Sequence, residues 1–390
     1  MLHSTYYKVM KTLKDANIKN KKILLRVDFN ITIQDGRVTE DFRMRATLPT
    51  INYLLENGAN RIIIISHFGR PNGERNSDYS LWPAAKHLSK LLNLEVEFLE
   101  NIESGKKFQG EIALLENLRF YKEEEENDRE FSKELSALGE IFLQDAFGVC
   151  HREHASIVGV PKILPSYAGL LLEKEVSTLA SILENPKRPL TILIGGAKIS
   201  TKMAVIEKFL DFADNVCLGG ALANIVLKAK GMAVGKSFIE ESMIEKVKEI
   251  EFTNTRLHLP IDVKISQDKD ASNGIKIKAA GSVNDDEIIL DIGPDTQQLF
   301  ANIIHKSKTV VWNGPVGYLE NPKFAEGTEY IAKELARAGA GALTVIGGGD
   351  TYQTLEKLGV MDKVSFVSTG GGAMLDFLAK GTLPGIEALK

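Results

Sequence analysis

The stretch TILIGGAKISTK (Thr191–Lys202) indicates the fold, because an apolar run ends at two glycines that are followed by two lysines. The apolar run predicts a buried strand, and the glycine pair lets the backbone approach a ligand closely. A helix that begins after the glycines would offer free N–H groups and the positive end of its dipole to an anion. Lys198 and Lys202 would lie on one face of that helix, since they are four residues apart. The stretch is not a P-loop, which needs four residues between its glycines and a Gly-Lys-Ser/Thr ending.

Short apolar runs alternate with helix-period segments, such as 43–58 and 81–93, along almost the whole chain. This alternation predicts an α/β fold of parallel sheets with helices on both faces. Ligands bind such sheets outside the carboxyl ends of the strands. The predicted strands are 22–27, 61–66, 111–115 and 140–146, followed in a second series by 190–196, 215–220, 308–314, 342–349 and 363–372.

The two series of strands predict two Rossmann-like domains of similar size, separated by a proline-bracketed helical pattern at 161–189. We expect an N-terminal domain at 1–170 and a connecting helix or hinge at 171–188. A C-terminal domain at 189–373 and a tail at 374–390 should follow.

The composition is that of an ordinary globular protein: 390 residues, 44% hydrophobic and 26% charged, enough to bury a sizeable core. A formal net charge of −4 argues against general nucleic-acid binding. The two cysteines, Cys150 and Cys217, favour a reducing compartment over a disulfide framework. The start of the chain shows no secretory signal pattern, and the most apolar run, 62–65, is too short to cross a bilayer. We therefore expect a cytoplasmic protein that binds neither nucleic acid nor membrane.

Four more glycine corners follow strands of the second series. A tight turn with solvated lysines would explain one such corner, but a shared anionic ligand explains the whole set better. Asp350 follows three glycines and suits the Mg²⁺ that accompanies a nucleotide. GMAVGKS (231–237) is one residue short of a P-loop and follows no clear strand, so we reject it as a phosphate site. The four corners are LGGALAN (218–224), WNGPVGYLE (312–320), IGGGDT (346–351) and STGGG (368–372).

The first series of strands ends in charged and imidazole groups instead of glycines. The planar fork of arginine binds carboxylate and phosphate groups bidentately. One arginine alone would suggest a surface ion pair, but several at one rim predict a small ligand with several negative charges. The groups are Asp28, Asn30, His67, Arg70, Arg119, Asp145, His151 and Arg152, joined by Arg43 and His154.

Two other charged segments have simpler interpretations. Cys150, His151 and His154 are competent zinc ligands, yet no second cluster in the sequence clearly completes a zinc site. The acidic run KEEEEND (122–128) predicts a solvated face, because like charges repel and do not pack.

Taken together, these motifs resemble those of the phosphoglycerate kinase family over essentially the whole chain. No single motif is decisive, but the combination and its order are highly specific. The motifs are RVDFN (26–30), SHFGRP (66–71), LLENLRF (114–120), DAFG (145–148), GGAKISTK (195–202), WNGPVG (312–317), GGGDT (347–351), STGGGA (368–373) and LPGIEAL (383–389).

The resemblance implies a glycolytic phosphotransferase that moves a phosphoryl group reversibly between 1,3-bisphosphoglycerate and MgADP, giving 3-phosphoglycerate and MgATP. It implies direct in-line transfer, two domains that face a cleft and close it, Mg²⁺ as the cofactor, and a monomer. The tail at 374–390 is expected to return to the N-terminal domain.

The resemblance also implies a role for individual residues, with the substrate site in the N-terminal domain and the nucleotide site in the C-terminal domain. By position, 3-phosphoglycerate would bind to Arg26, Asp28, Asn30, Arg43, His67, Arg70, Arg119, His151 and Arg152. The nucleotide would bind to Gly195, Gly196, Lys202, Gly219, Asn313, Glu320, Gly347, Gly348, Gly349, Asp350 and Thr351. Gly371 and Gly372 would contact the phosphoryl group in the transition state, and Asp350 would hold Mg²⁺. Arg43, Lys198 and Lys202 would be catalytic.

Three positions depart from the family pattern: Thr32 replaces the usual proline, Gln144 the usual asparagine and Glu153 the usual alanine. We expect the Glu153 carboxylate to point away from the substrate, because an inward carboxylate would repel a multiply charged ligand. Two alternatives stay open: another small-acid phosphotransferase on this scaffold, and a catalytically silent binding or regulatory protein. The intact catalytic positions argue against the second.

Overall fold

The structure is a computed structural model that describes residues 10–249 and 254–390. The chain divides into two compact units of similar size. The first unit runs to Glu184 and also includes Asp376–Lys390, and the second unit is Asn185–Leu375. The helix at 170–184, which the sequence assigns to a connecting segment, therefore groups with the first unit.

A six-stranded parallel sheet forms the centre of the first unit. The strands of this unit are β1 (Lys22–Arg26), β2 (Thr32–Gln34), β3 (Arg37–Glu40), β4 (Arg61–Ile65), β5 (Glu97–Leu99), β6 (Ile112–Leu115), β7 (Ile141–Gln144) and β8 (Ser166–Ala168). The sheet has the order β5-β6-β4-β1-β7-β8, and β2 pairs with β3 in a separate antiparallel hairpin.

Helices cover both faces of this sheet, since parallel strands need crossover connections. Side chains alternate between the two faces along each strand. Ile62 and Ile64 of β4 belong to one core cluster with Met44, whereas Ile63 belongs to another with Phe131. The helices are α1 (Phe42–Glu56), α2 (Trp82–Leu92), α3 (Ile102–Lys107), α4 (Lys122–Glu125), α5 (Arg129–Ser136) and α6 (Leu170–Glu184).

The second unit contains another six-stranded parallel sheet and a smaller antiparallel one. Its strands are β9 (Leu190–Ile194), β10 (Asn215–Leu218), β11 (Leu257–His258), β12 (Asp262–Ser266), β13 (Lys276–Ala279), β14 (Ile288–Ile292), β15 (Thr309–Asn313), β16 (Leu343–Gly347) and β17 (Phe366–Ser368). The parallel sheet has the order β11-β10-β9-β15-β16-β17, and the antiparallel sheet has the order β13-β12-β14.

Trp312 of β15 is fully buried in the core of the second unit, in one cluster with Phe300, Leu335 and Leu355 from three helices. In the last segment of the chain, which groups with the first unit, Gly385 N–H donates to Cys150 O at 2.9 Å. The remaining helices are α7 (Met203–Phe212), α8 (Gly220–Ala229), α9 (Ile244–Lys248), α10 (Pro294–Lys306), α11 (Glu326–Ala338), α12 (Gly349–Lys357), α13 (Gly371–Lys380) and α14 (Pro384–Glu387).

The predicted fold class is confirmed, because each unit contains a six-stranded parallel sheet flanked by helices. The structure differs from the prediction at 161–169, where Ser166–Ala168 forms β8 instead of continuing the helical pattern. A strand of three residues is too short to show a recognisable period. The antiparallel sheet of β12, β13 and β14 is also absent from the prediction. Across residues 10–249 and 254–390, no helix combines the length and the apolar character that crossing a bilayer requires.

Candidate functional site

A cavity of about 230 Å³ lies at the carboxyl ends of the parallel strands in the first unit, and we call it the arginine cavity. It brings together all of the residues predicted for 3-phosphoglycerate except Arg26. The lining residues are Asp28, Asn30, Arg43, His67, Gly69, Arg70, Arg119, Gly148, Val149, His151 and Arg152.

Backbone contacts orient Arg43 in this cavity. Its NH1 group donates to Asn30 O at 2.6 Å and lies 3.5 Å from Asp28 Oδ1. The Asn30 side chain in turn accepts a hydrogen bond from Gly69 N–H at 3.0 Å. The loops after β1 and β4 are therefore tied together around Arg43, which remains partly exposed.

Arg119 is held by the same loops. Its NH1 group donates to Gly69 O at 2.7 Å, and its Nε lies 3.3 Å from Glu125 Oε1. Asn117 joins the two loops, because its side chain accepts from Phe68 N–H at 3.1 Å and donates to Phe68 O at 2.7 Å. Burial lowers the pKa of Arg119 to about 10, so the guanidinium stays charged at neutral pH. Asn117 has no role in the sequence analysis, although it positions a cavity residue.

The histidines near the cavity are neutral at pH 7. Burial lowers the pKa of His67 well below its usual value, and Arg26 and Arg119 lower it further. Burial also lowers the pKa of His154 to about 3, and that of His151 falls for the same main reason. The positive charge of the cavity therefore comes from its four arginines.

Arg26 lies behind the cavity instead of lining it. Its side chain is fully buried, and Glu124 Oε1 lies 4.0 Å from its NH2 group. Glu124 is also fully buried, so the prediction of a solvated face for the acidic run is wrong at this position. Burial raises the pKa of Glu124, and Arg26 and Ser156 oppose that shift. A buried arginine needs a counter-charge, and this carboxylate supplies it.

The CHREH segment contains one group that is unsuited to zinc and one that points outward. Cys150 is fully buried, its Sγ donates to Ala146 O at 3.4 Å, and burial raises the pKa of its thiol. A zinc ligand must be a thiolate, which this environment disfavours. Glu153 is exposed and is not among the residues that line the arginine cavity, as expected for an outward orientation.

The second unit has a larger cavity of about 740 Å³, which we call the glycine cavity. Of the predicted nucleotide residues, Gly196, Glu320 and Asp350 line it directly. The others lie beside it at the carboxyl ends of the strands or at the starts of the helices that follow. These are Gly195, Lys202, Gly219, Asn313, Gly347, Gly348, Gly349 and Thr351, and the two glycines predicted to contact the phosphoryl group, Gly371 and Gly372, stand at the start of α13.

Gly195 and Gly196 form the corner after β9. A Cβ atom on Gly195 would lie 2.1 Å from Pro315 O, so only glycine fits there. Gly196 has a φ of +96°, a conformation that side chains rarely adopt, and its N–H donates to Pro315 O at 2.7 Å. Lys202 Nζ donates to Gly195 O. Burial lowers the pKa of Lys202 to about 8, and Asp350 opposes that shift.

Lys198 lies in an exposed turn, because α7 begins only at residue 203. The prediction that Lys198 and Lys202 share a helix face is therefore wrong. The N–H groups of Ile199 and Ser200 donate to Glu240 Oε2 at 3.0 and 3.1 Å. This carboxylate satisfies two N–H groups of the turn that precedes α7.

Two predicted residues shape the corners instead of lining the cavity. Asn313 Nδ2 donates to Gly371 O at 3.2 Å, which ties the end of β15 to the start of α13. Thr351 is fully buried, and its Oγ1 lies 2.6 Å from Gly347 O and 2.7 Å from Gly348 O. These bonds fix Thr351 at the corner after β16, and its role in binding the nucleotide stays a prediction.

The apolar wall of the glycine cavity was missed by the sequence analysis. It includes Phe238, Pro260, Leu290, Val316 and Tyr318. An apolar wall beside a few polar groups is typical of small-molecule sites. The apolar pattern EIILDIG at 287–293 was the available signal, since it includes Leu290 and resembles the other strands.

GMAVGKS also contributes to this cavity, through Lys236. The segment follows α8, and no helix begins before residue 241. It therefore lacks the strand–loop–helix context of a P-loop, although its lysine reaches the cavity.

Asp350 is exposed in the first turn of α12, where it lines the glycine cavity. Mg²⁺ usually binds proteins through one or two carboxylates and the phosphates of a substrate. In the part of the chain that the structure describes, no group of three or more His, Cys, Asp or Glu side chains could hold a metal alone. The residues present therefore fit an ion that arrives with a nucleotide.

The sequence profile described as phosphoglycerate kinase matches residues 13–381, a range that contains both cavities. The chain belongs to the phosphoglycerate kinase family. Proteins named phosphoglycerate kinase from Finegoldia magna and Gloeothece citriformis are 45% and 46% identical to it. The alignments cover 97% and 98% of this chain and 98% of each relative.

Solved phosphoglycerate kinase structures agree with this assignment. Those from Coxiella burnetii and Pyrococcus horikoshii OT3 match with TM-scores of 0.84 and 0.85 and sequence identities of 37% and 34%. Each match covers 97% of this chain and 98% of the other. The predicted phosphoglycerate kinase resemblance and the predicted enzyme class are thus confirmed, while the roles of individual residues stay predictions.

Proposed function

We propose that this chain is a glycolytic enzyme that transfers a phosphoryl group reversibly between 1,3-bisphosphoglycerate and MgADP, giving 3-phosphoglycerate and MgATP. The arginine cavity is the observation that supports this best. It is small, about 230 Å³, and four arginines line it. A three-carbon acid with one carboxylate and one phosphate offers the two groups that arginine binds bidentately.

The glycine cavity supports the nucleotide half of the reaction. Its apolar wall suits a flat base, and the corner at Gly195 and Gly196 lets phosphates approach the backbone closely. Lys198 and Lys202 follow that corner and would neutralise phosphate charge.

The chemistry needs no general base and no covalent intermediate. An oxygen of the ADP β-phosphate attacks the phosphorus of the acyl phosphate, and the bond between that phosphorus and the carboxylate oxygen breaks. The carboxylate leaves with the electron pair, and no proton has to move. Catalysis therefore consists of in-line alignment and neutralisation of charge by Arg43, Lys198 and Lys202. Mg²⁺, held by Asp350 and the phosphates, supplies further positive charge when it is bound.

We also propose that the two units close on their substrates before transfer. The arginine cavity is built by the first unit and the glycine cavity by the second, so the two substrates bind to different units. Flexing near 160–190 would then bring the reacting groups together and exclude water. Solution scattering should show a smaller radius of gyration with both substrates than without them, and an unchanged radius would contradict closure.

A coupled assay with purified protein tests the reaction itself. Turnover is expected in both directions, from 3-phosphoglycerate with MgATP and from 1,3-bisphosphoglycerate with MgADP, and it should stop when a chelator removes divalent metal. Other small carboxylic acids serve as controls for a different phosphotransferase specificity. A folded protein with no turnover in either direction would overturn the proposal in favour of a silent binding protein.

A further inference from the structure

A buried chain of polar side chains extends from His67 in the lining of the arginine cavity into the interior, and its inner members Glu124 and Ser156 have no part in the mechanism above. It consists of Glu124, Ser156, Arg26 and His67. The first three side chains are fully buried, and His67 is 2% exposed. Burying an ionic pair is costly unless its hydrogen bonds are satisfied, so the arrangement calls for a specific role.

The directions of the hydrogen bonds follow from the chemistry of arginine. Arg26 Nε lies 2.8 Å from Ser156 Oγ, and a guanidinium can only donate, so the serine oxygen accepts. The hydroxyl proton of Ser156 then points to Glu124 Oε1 at 2.6 Å. The Ser156 N–H donates to the other carboxylate oxygen at 2.9 Å. Glu124 thus receives two hydrogen bonds, as an ionised carboxylate does.

The other end of the chain reaches His67. Arg26 NH2 lies 3.3 Å from His67 Nδ1, and because the guanidinium only donates, Nδ1 must carry a lone pair. A neutral imidazole in this position carries its proton on Nε2. Nε2 lies 3.8 Å from Asp28 Oδ1, and both residues line the arginine cavity. The donor N–H of His67 therefore lies on the side where the substrate would bind.

The surroundings of His67 disfavour the charged imidazolium. Arg26, Arg43, Arg119 and His154 face it, and Asp28 is the acidic group beside it. Burial and the three arginines hold its pKa well below the usual value. His67 is therefore a neutral donor among charged arginines, and its function depends on which nitrogen holds the proton.

Glu124 and the carbonyl of Val27, which accepts from Arg26 NH1, hold Arg26 in place, and Glu124 is the acidic member of this pair. Glu124 lies 4.0 Å from Arg26 NH2 and shares Ser156 with Arg26 Nε. Removing one partner of a buried ion pair leaves the other charge uncompensated, and the remaining partner shifts or recruits water. Without Glu124, Arg26 would no longer fix the tautomer of His67.

We propose that Glu124 is a positioning residue: through Ser156 and Arg26 it holds His67 in the Nε2–H form, which presents a neutral N–H donor to bound 3-phosphoglycerate. The identity of the ligand rests on the proposed function, whereas the tautomer does not.

The test compares full-length wild type with Glu124→Gln, which keeps the size of the side chain and removes its charge. Glu123→Gln is the matched control, because Glu123 lies on the same helix and is exposed. Nitrogen-15 NMR of histidine-labelled protein reports the tautomer, and His67→Gln assigns the signal. Wild type and control should show the Nε2–H form up to and beyond neutral pH, and Glu124→Gln should lose it.

Affinity and kinetics give the second readout. The dissociation constant for 3-phosphoglycerate should rise roughly tenfold in Glu124→Gln, the loss expected for one hydrogen bond to a charged group. The same rise should appear in KM, with kcat changed by less than about twofold, because the bond is made equally in the ground and transition states. Ser156→Ala interrupts the same chain of hydrogen bonds without removing the carboxylate. This variant replaces Glu124→Gln in both measurements if Glu124→Gln fails to fold.

Each result decides the proposal. A wild-type His67 that is Nδ1–H or imidazolium at neutral pH overturns it, and no variant is needed for that result. An unchanged tautomer in a folded Glu124→Gln or Ser156→Ala protein also overturns it, even if affinity falls, since the effect is then structural. A different result would overturn the proposed function: the wild type and the variants show the expected His67 tautomers, but the wild type does not bind 3-phosphoglycerate. That result would still support the positioning of His67 by Glu124.

Discussion

Replacing Lys202 with methionine should stabilise the protein and at the same time abolish its activity. Lys202 is 9% exposed, and burial lowers its pKa from 10.5 to about 8. Each pKa unit corresponds to about 1.4 kcal/mol, so keeping the charged amine in the folded state costs about 3 kcal/mol at neutral pH. Methionine has a similar length and no charge, and it avoids this cost.

The substitution also removes the hydrogen bond from Lys202 Nζ to Gly195 O, and this loss cancels about 1 kcal/mol of the gain. The expected net gain in the free energy of unfolding is therefore about 2 kcal/mol at about pH 7, measured by urea denaturation. Lys198→Met is the matched control, because Lys198 follows the same corner but is exposed. Its stability should stay within about 0.5 kcal/mol of wild type, although its activity should also fall.

The pH dependence of the free energy of unfolding gives an independent check that the Lys202 charge destabilises the folded protein. Below about pH 8 the Lys202 amine is protonated in both the folded and the unfolded protein, so the folded state bears the full free-energy cost of burying the charge. Between about 8 and 10.5 the folded protein loses the proton while the unfolded chain keeps it, so wild type gains stability as the pH rises. The advantage of Lys202→Met should shrink over that range. A variant no more stable than wild type at about pH 7, or an advantage that is independent of pH, would refute the reasoning.

Three further changes follow from the two cavities. Arg43→Ala should lower turnover in the coupled assay about a hundredfold, because one group that meets developing charge is lost; near-normal turnover would remove Arg43 from the catalytic set. Gly195→Ala should cost about 1–3 kcal/mol in denaturation experiments, since its Cβ would lie 2.1 Å from Pro315 O, a rigid backbone atom. Gly341→Ala, where a Cβ meets nothing within 4 Å, is the control, and equal stabilities would contradict the steric argument. Glu153→Ala should leave the KM for 3-phosphoglycerate within about twofold, because the side chain is exposed outside the cavity; a tenfold drop, about 1.4 kcal/mol, would show that it faces the substrate.

The cavity residues differ in how well the sequence predicts them. His67, Arg70 and Arg119 follow buried strands, and parallel strands bring their carboxyl ends to one rim, so their meeting in one cavity was predictable. Phe238 and Tyr318 were not predicted as site residues, because an apolar side chain that lines a cavity has the same local pattern as one in the core.

The sequence by itself determined the two parallel sheets and the chemistry of their rims, since strands buried on both faces appear as continuous apolar runs that end at glycine or arginine. Only the tertiary structure decided which charges are buried. Glu124 stands in a run of acidic residues that favours solvent, and it is buried because Arg26, distant in sequence, needs a counter-charge at that place. Lys198 and Lys202 follow the same corner, yet only Lys202 is buried, with its amine donating to Gly195 O, while Lys198 lies in the exposed turn before α7. Burial of a charge depends on partners that the fold brings from other segments, and no local pattern records them.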